Sequence, residues 1–115
     1  MHILIYGMRK RADKMQPQLK LMISVIERRG ERKERLFSKF PISIGRLPDN
    51  DIVIIDEFVS RKHCKIIAEG ESIVLEDLNS TNGSVLNDEL VVESALLNDK
   101  DVLQIGKFQL VLNIL

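Results

Sequence analysis

Apolar and polar side chains alternate along most of this chain, in short runs that turn-forming residues separate. The clearest run is residues 19–25, where Leu, Leu, Ile and Val hold the odd positions and Lys, Met and Ser hold the even ones. A period of two places one set of side chains on the buried face of a β-strand and the other set on its exposed face. Residues 19–25 are therefore predicted to form a half-buried strand.

Comparable runs follow as far as the last residue. The stretch 28–35 is polar and contains Gly30, so it is predicted to be a turn, and Leu36 begins a strand that continues to Gly45. Residues 52–55 (Ile-Val-Ile-Ile) are a short β-branched run of the kind that is buried on both faces of a sheet. The other predicted strands are short and aliphatic, and they lie at 64–68, 73–75, 84–86, 90–92, 102–105 and 108–114.

Roughly nine to eleven short strands result, and no strong helical period appears after residue 19. Short strands with turn signals between them are typical of an all-β sandwich or barrel. In a sandwich the connecting loops cluster at the two ends of the molecule, and residues with specific chemistry are usually found on such loops. We therefore expect the functional residues to lie in the loops.

Residues 1–18 differ from the rest of the chain. A short apolar patch, HILIYGM, is followed by the basic cluster RKR and then by Gln-Pro-Gln, without a recognisable period. We interpret 1–18 as a basic arm or linker and 19–115 as one domain, because the length suits a single domain. An apolar patch that precedes its basic cluster has the reverse order of a secretory signal.

Composition excludes several classes of protein. Ile, Leu and Val account for 38 of the 115 residues, which is enough for a packed core. No apolar run approaches the roughly 18–20 residues that are needed to span a bilayer. With one cysteine, Cys64, and two histidines, the chain cannot form an internal disulfide or a multi-cysteine zinc site. No metal or cofactor is therefore expected, and a reducing, cytoplasmic setting is favoured.

The formal net charge of zero conceals an asymmetry. Residues 1–39 carry 11 basic and 4 acidic side chains, whereas residues 40–115 carry 6 basic and 13 acidic ones. The basic arm could attract a nucleic acid or a membrane surface, but a solvated arm is favoured. The aromatic fraction of 4% and the absence of Trp argue against a platform on which bases stack. No nucleic-acid partner is therefore expected.

Three short polar groups interrupt the aliphatic background at the ends of predicted strands. Each has an ordinary explanation when it is taken alone, since Asn-Gly is a common turn dipeptide and loop serines often bond their own backbone. Their order and spacing along the chain distinguish them. The groups are Gly45-Arg46, Ser60-Arg61-Lys62-His63 and Asn79-Ser80-Thr81-Asn82-Gly83.

Taken together, these groups resemble the motifs of the forkhead-associated (FHA) domain. The family pattern reads approximately G-R, S-x-x-H and S-T-N-G, followed by an Asn that Asn87 matches, and the resemblance covers about residues 19–115. It implies an 11-stranded β-sandwich (FHA/SMAD-like) that binds phosphothreonine in partner proteins through loops at one end. Such a module acts as an adaptor in kinase signalling, and its partners are threonine-phosphorylated substrates of a Ser/Thr kinase.

The resemblance implies a ligand contact for five residues. Arg46 would bind the phosphate with two parallel charge-assisted hydrogen bonds, which a lysine cannot form. Ser60 and Thr81 would add contacts to the phosphate, and the Asn82 amide would bond the backbone of an extended ligand. Arg61 would place a second cation at the mouth of the site, where it reaches the phosphate or an acidic ligand residue.

The same resemblance implies a structural role for five further motif residues. Gly45 would let the backbone approach closely before Arg46, and Gly83 would permit a positive φ. His63 would brace its loop by hydrogen bonding and would not act as a base. Ser80 would shape the third loop, and Asn87 would tie neighbouring loops together.

Two other functions compete with phosphothreonine binding. The first is a phosphate-independent interaction or scaffolding domain with the same fold, since some family members keep the sandwich but lose the binding residues. The second is catalysis, which is not expected because Cys64 and His63 are consecutive and no motif places a carboxylate to orient His63. The oligomeric state is left open, with a monomer favoured. Because Thr81 is the only threonine, a phosphothreonine ligand is expected to come from another protein, unless a serine of this chain serves instead.

Overall fold

The computed structural model describes residues 19–115 and builds them entirely from strands, turns and loops. Eleven strands lie in this part of the chain. Their bounds are β1 Leu21–Ile26, β2 Arg32–Phe37, β3 Ile42–Gly45, β4 Ile52–Val53, β5 Cys64–Glu69, β6 Ser72–Asp77, β7 Val85–Leu86, β8 Glu89–Leu90, β9 Ser94–Leu97, β10 Asp101–Ile105 and β11 Phe108–Ile114. None of the described residues forms a helix that could cross a membrane.

The strands form two sheets that pack face to face. The six-stranded sheet has the order β2-β1-β11-β10-β7-β8, and the five-stranded sheet has the order β4-β3-β5-β6-β9. Neighbouring strands run antiparallel, except that β3 and β4 run parallel. The prediction of an all-β sandwich of about eleven strands is confirmed.

Side chains from both sheets fill the space between them. In β1 the odd-numbered Leu21 and Ile23 are fully buried, as the alternation predicts. Cys64 also lies fully buried in this aliphatic core, and burial raises the pKa of its thiol to about 12. The remaining fully buried large residues come from both sheets, and they are Ile42, Ile44, Ile54, Ile66, Ile73, Leu75, Leu103, Ile105, Leu110 and Leu112.

The β7–β8 hairpin follows its sequence signal. Asn87 and Asp88 connect the two strands with φ values of +49° and +69°, which is the backbone of a two-residue type I′ turn. Both residue types tolerate a left-handed backbone because their short polar side chains can bond locally.

The predicted turn at 28–35 is wrong in its second half, since β2 begins at Arg32. β2 is the edge strand of the six-stranded sheet, and backbone hydrogen bonds to β1 hold it in place. Five of its six residues are exposed. A strand that buries so little apolar surface shows no alternation in its sequence, and its charges protect an open edge against unwanted pairing.

The prediction that 52–55 is a strand buried on both faces is also wrong. Strand β4 has only two residues, and side chains from Ile52 to Ile55 alternate between the core and the solvent. Val53 is 40% exposed and Ile55 is 76% exposed. β4 is the edge of the five-stranded sheet, so its outer face has no covering layer. The sequence also does not predict β9 as a strand, because only one of the four residues of that edge strand is buried.

Candidate functional site

The first polar group lies where β3 ends against the loop that precedes β5. Gly45 is the last residue of β3. Its carbonyl oxygen accepts a hydrogen bond from the backbone N–H of Ile54 at 2.9 Å. A Cβ atom at position 45 would overlap the carbonyl oxygen of Arg61 and lie 2.8 Å from Nδ2 of Asn50. Only glycine therefore allows the two loops to approach as closely as they do.

Asn50 fixes that approach, and the sequence motifs do not include it. Its buried side chain donates from Nδ2 to the carbonyl oxygens of Leu47 and Arg61, at 2.8 and 2.9 Å. Its Oδ1 is buried without a hydrogen-bond partner. In the sequence Asn50 is only one of several turn-forming residues. Nothing there indicates that its side chain bonds Arg61, eleven residues further on.

Arg46 follows Gly45 and is held by the second loop. Its backbone N–H donates to the Ser60 oxygen at 3.0 Å, and its Nε donates to the Val59 oxygen at 3.1 Å. The half-buried guanidinium is thus anchored on one side, and within the described residues its terminal nitrogens have no hydrogen-bond partner. Two parallel donors therefore remain for an anion of phosphate or carboxylate geometry.

Ser60 connects all three polar groups. Its backbone oxygen accepts from Arg46, its backbone N–H donates to Nδ1 of His63 at 3.1 Å, and its Oγ accepts from the backbone N–H of Thr81 at 3.0 Å. Because Oγ serves there as the acceptor, the hydroxyl hydrogen is left free to donate.

His63 is fully buried and braces the loops with both ring nitrogens. Nδ1 accepts from the Ser60 N–H, so the neutral ring carries its hydrogen on Nε2, which donates to the Gly83 oxygen at 2.8 Å. A ring with both nitrogens committed in this way has no free lone pair with which to accept a proton from a substrate.

Asp77, at the end of β6, organises the third loop. Its Oδ1 accepts from the hydroxyls of Ser80 and Ser84 at 2.6 and 2.7 Å, and its Oδ2 accepts from the Ser80 N–H at 3.0 Å. Burial raises the pKa of Asp77, but the hydrogen bonds from Ser80 and Ser84 outweigh that effect and hold the pKa below its usual value. The family motif contains Ser80 but not Asp77, which is why the sequence does not identify it.

Thr81 and Asn82 stand exposed at the tip of this loop. Asn82 donates from Nδ2 to the Phe58 oxygen at 3.0 Å, which leaves its Oδ1 and its second amide hydrogen available. The next residue, Gly83, has a φ of +85°, a backbone that glycine adopts without strain. Asn82 therefore links the third loop to the second and still presents polar atoms to the solvent.

The two cations of the second loop differ in their partners. Lys62 forms a 2.9 Å ion pair with Asp49, and the hydrogen bond from Lys62 is the main cause of the lowered pKa of Asp49. Arg61 has an exposed side chain that forms no ion pair within the described part of the chain. Arg61 is consequently the cation that is free to meet a ligand.

Most of the nearby carboxylates already have partners. Asp51 accepts from the backbone and the hydroxyl of Ser43 at 2.8 and 3.1 Å, and Asp56 accepts from the backbone N–H groups of Phe58 and Lys107 at 2.8 and 3.0 Å. These neutral donors fix the two carboxylates in place but leave each with its negative charge. Near the site, the ion pair between Lys62 and Asp49 offsets one acidic charge.

Asn87 lies away from this site. Its Nδ2 donates to Oδ1 of Asp101 at 2.9 Å, and its Oδ1 accepts from the Val102 N–H at 2.9 Å, which ties the β7–β8 turn to the start of β10. The other end of β10 leads into the turn that contains Lys107, whose N–H donates to Asp56 at 3.0 Å. Nine of the ten singled-out residues are thus brought together, and Asn87 is not.

The arrangement presents fixed donors and no metal-binding cluster. Among residues 19–115 no group of three or more His, Cys, Asp or Glu side chains could hold a metal ion. The donors that face the solvent are a half-anchored guanidinium, a hydroxyl and an amide, with a second guanidinium at the mouth. This set suits a multiply charged oxyanion attached to an extended backbone.

Comparison with known proteins agrees with this fold. The glycogen accumulation regulator GarA of Mycolicibacterium smegmatis is 46% identical over 69 residues, which are 60% of this chain and 43% of GarA, so the chain spans less than half of that relative. The FHA domain of CT664 from Chlamydia trachomatis superposes with a TM-score of 0.76 and 26% identity, covering 82% of this chain and 96% of that one.

A third similar protein, EmbR of Mycobacterium tuberculosis, was solved in complex with a low-affinity phosphopeptide. It superposes with a TM-score of 0.72 and 29% identity, covering 80% of this chain and 24% of EmbR. The family model described as "FHA domain" matches residues 42–106, which is more than half of the chain and includes all three polar groups. The chain therefore belongs to the FHA domain family.

Proposed function

We propose that this protein is a phosphothreonine-dependent interaction module. The observation that carries the proposal is the convergence of three loops on Ser60, which bonds Arg46, His63 and Thr81 at once. These bonds use backbone groups, the Ser60 Oγ as an acceptor and the His63 ring, and they leave the terminal nitrogens of Arg46 and the Ser60 hydroxyl hydrogen for a ligand. A phosphate with a charge of about −1.5 to −2 and three acceptor oxygens matches those donors.

The ligand contacts follow from the position of each side chain. Arg46 gives two parallel hydrogen bonds to phosphate oxygens, and Ser60 gives a third from its hydroxyl. Thr81 lies beside Ser60 and contacts the phosphate, while Asn82 bonds the ligand backbone with the amide atoms that Phe58 leaves free. Arg61 supplies a second cation at the mouth. The loops are already held in place, so little entropy is lost when they bind.

The related proteins support this function. EmbR binds a phosphopeptide in its solved complex, and GarA is a regulator. By analogy we assign this chain to signalling by a Ser/Thr kinase, with threonine-phosphorylated proteins as its partners. We further propose a cytoplasmic setting, with residues 19–115 as the binding domain and 1–18 as an arm that lies outside the described residues.

Binding without catalysis is the corollary. Both ring nitrogens of His63 are bonded to loop groups, so His63 is not free to act as a base. Burial raises the pKa of the Cys64 thiol to about 12, so Cys64 is not an activated nucleophile. The phosphate-independent alternative leaves the free donors of Arg46 and Ser60 without a purpose.

Affinity selection from a peptide library tests the proposal and does not require an identified partner. A library of peptides with a fixed phosphothreonine and degenerate flanks is applied to the immobilised protein, before and after treatment with a phosphatase. We expect retention only before treatment, and no retention by the Arg46→Ala variant. Equal retention of the treated library would establish the phosphate-independent alternative.

A further inference from the structure

Asn82 differs from the other asparagines of the chain in the residue that follows it. Of the six asparagines in the sequence, Asn82 alone precedes a glycine. Because Gly83 has no Cβ, its backbone nitrogen is less shielded than that of any other residue type. The other five asparagines precede residues that carry a Cβ, and they are Asn50, Asn79, Asn87, Asn98 and Asn113.

The structure leaves the Asn82 amide and the Gly83 nitrogen accessible to each other. Asn82 is exposed and Gly83 is half-buried. Within residues 19–115 the Gly83 N–H donates to no hydrogen-bond acceptor, and the Asn82 amide is bonded only once, by Nδ2 to the Phe58 oxygen at 3.0 Å. A single neutral hydrogen bond in contact with water opens at small cost. The Cγ atom of Asn82 can therefore turn toward the Gly83 nitrogen.

Two other asparagines are held in the opposite way. Asn87 is also exposed, but its Nδ2 donates to Asp101 and its Oδ1 accepts from the Val102 N–H, both at 2.9 Å. Asn50 is buried, and its Nδ2 donates to two carbonyl oxygens. Each of the two precedes an aspartate. They serve as internal controls for the chemistry of Asn82.

We infer that Asn82 is a site of spontaneous deamidation, which replaces the amide in the phosphate site by a carboxylate and thereby inactivates the site. Asparagine is one of the thermolabile residues of proteins, and both neighbours of its reactive carbon are open at this position. The chemical step depends only on residues 82–83, whereas the effect on ligand binding rests on the proposed function.

The reaction requires water and no other reagent. The Gly83 nitrogen attacks Cγ of Asn82, the bond from Cγ to Nδ2 breaks, and the hydrogen of the Gly83 N–H leaves with Nδ2 as ammonia. A five-membered succinimide ring results. One water molecule then opens the ring at either of its two carbonyl carbons, which gives aspartate or isoaspartate at position 82. No electron is transferred in either step.

Aspartate at position 82 changes the site through its charge. A carboxylate cannot donate to the Phe58 oxygen as the Asn82 amide does, so the bond between the second and third loops is lost. The new negative charge also repels the phosphate that Arg46 and Ser60 would bind. The donor set becomes less suited to an anion.

Isoaspartate at position 82 also changes the backbone. Its main chain passes through the side-chain carbon and is longer by one atom. The residues on both sides are fixed, because the Thr81 N–H donates to Oγ of Ser60 at 3.0 Å and the Gly83 oxygen accepts from Nε2 of His63 at 2.8 Å. An additional main-chain atom between these two bonds must displace at least one of them.

A bound ligand should slow the conversion. In the proposed complex the ligand backbone bonds the Asn82 amide, so the amide has more partners and the conformation that reacts is populated less. A protein that is occupied by its partner would keep its site, whereas an unoccupied one would lose it with time. The age of the free protein then sets the fraction that can bind.

Peptide mapping by mass spectrometry tests the inference. The full chain is incubated in neutral buffer at physiological temperature, and the conversion of each asparagine is followed with and without an excess of a library-selected phosphothreonine peptide. We expect Asn82 to convert faster than Asn87 and Asn50, and we expect the peptide to slow that conversion. The unphosphorylated form of the same peptide is the matched control and should not slow it.

Two variants connect the chemistry to binding. Asn82→Asp reproduces the aspartate product and should bind the selected peptide at least about tenfold more weakly than fresh wild type. Asn82→Gln keeps an amide, but cyclisation would need a larger ring that forms much less readily. The affinity of wild type should therefore decline during the incubation, whereas that of Asn82→Gln should stay at its own starting value.

The outcomes for the deamidation and for the phosphate site are separable. Conversion of Asn82 that is no faster than that of Asn87 overturns the inference, and so does a wild-type affinity that stays constant while Asn82 converts. Fresh protein that does not distinguish the phosphorylated from the unphosphorylated peptide counts instead against the phosphothreonine function. In that case the masses alone still decide whether Asn82 converts.

Discussion

The hydroxyl oxygen of Ser60 accepts a hydrogen bond from the backbone N–H of Thr81 at 3.0 Å, which joins two loops that lie 21 residues apart in the chain. The carbonyl oxygen of Ser60 also accepts a hydrogen bond from the Arg46 N–H. One serine thus sets the distance between the guanidinium fork of Arg46 and the loop that carries Asn82. Backbone and side-chain atoms of Ser60 both take part in holding the loops together.

We predict that Ser60→Ala weakens phosphothreonine binding by at least about tenfold and also loosens the third loop. The variant loses a donor to the phosphate, worth roughly 1.5–3 kcal/mol for a charged acceptor, and it loses the acceptor for Thr81. Hydrogen exchange at the Thr81 amide should become faster, whereas Ser60→Thr keeps the hydroxyl and should keep slow exchange. Unchanged exchange in Ser60→Ala would mean that another group holds the loop.

Arg46→Lys should bind nearly as poorly as Arg46→Ala. A lysine keeps the charge but cannot give two parallel hydrogen bonds, and it also lacks the Nε that donates to Val59. We expect a loss of at least about tenfold for Arg46→Lys in fluorescence anisotropy, with little change in the urea midpoint. Wild-type affinity in Arg46→Lys would show that charge alone suffices.

Arg61 and Lys62 should differ although they are adjacent. The Lys62 ammonium already pairs with Asp49, whereas Arg61 forms no ion pair among the described residues. Arg61→Ala is therefore expected to lower phosphopeptide affinity by about three- to tenfold, in the range of a partly exposed charge-assisted contact. Lys62→Ala should change it by less than about twofold. The reverse order would place the ligand on the Asp49 side of the mouth.

Acid should destabilise the protein through Asp77. Its folded pKa lies below the ordinary value of 3.8, so its contribution to stability is full above the unfolded pKa and is lost as the pH falls through the folded value. The free energy of unfolding should therefore fall more steeply for wild type than for Asp77→Asn between about pH 5 and about pH 3. Urea unfolding at several pH values measures both slopes. Parallel slopes would remove Asp77 as a source of acid sensitivity.

Gly45→Ala should destabilise the domain more than Gly70→Ala. A Cβ at position 45 meets the Arg61 backbone, which cannot move without breaking the contact between the loops, and we expect a cost of about 2–3 kcal/mol. At Gly70 nothing lies within 4 Å, so its φ of +59° is the only source of strain, worth about 1–2 kcal/mol. Chemical unfolding of both variants gives the comparison.

The sequence predicts the sandwich because most of its strands bury one face and therefore alternate. The sequence-based prediction is wrong for the edge strands of the two sheets. Main-chain hydrogen bonds to β1 hold β2, and no layer covers Val53 and Ile55 on the outer side of β4. Edge strands of this kind carry little periodic signal, because burial and not pairing is what creates the period.

Motif residues of the site can be identified from the sequence, but their supports cannot. Asn50 bonds the Arg61 carbonyl eleven residues away, and Asp77 bonds Ser80 and Ser84 in the loop that follows it, but neither residue belongs to the motifs. The alternation predicts Ser84 only as the start of a strand, although its hydroxyl bonds Asp77 in the buried base of the loop. Such residues become visible only when the loops are brought together.

The most direct measurement is a calorimetric titration of the full chain with one library-selected peptide in its phosphorylated and unphosphorylated forms. The phosphorylated form should bind at least about a hundredfold more tightly, because two or more charge-assisted hydrogen bonds of roughly 1.5–3 kcal/mol each depend on the phosphate. Arg46→Ala should abolish that difference. Equal affinities for the two forms in the wild-type protein would contradict the account.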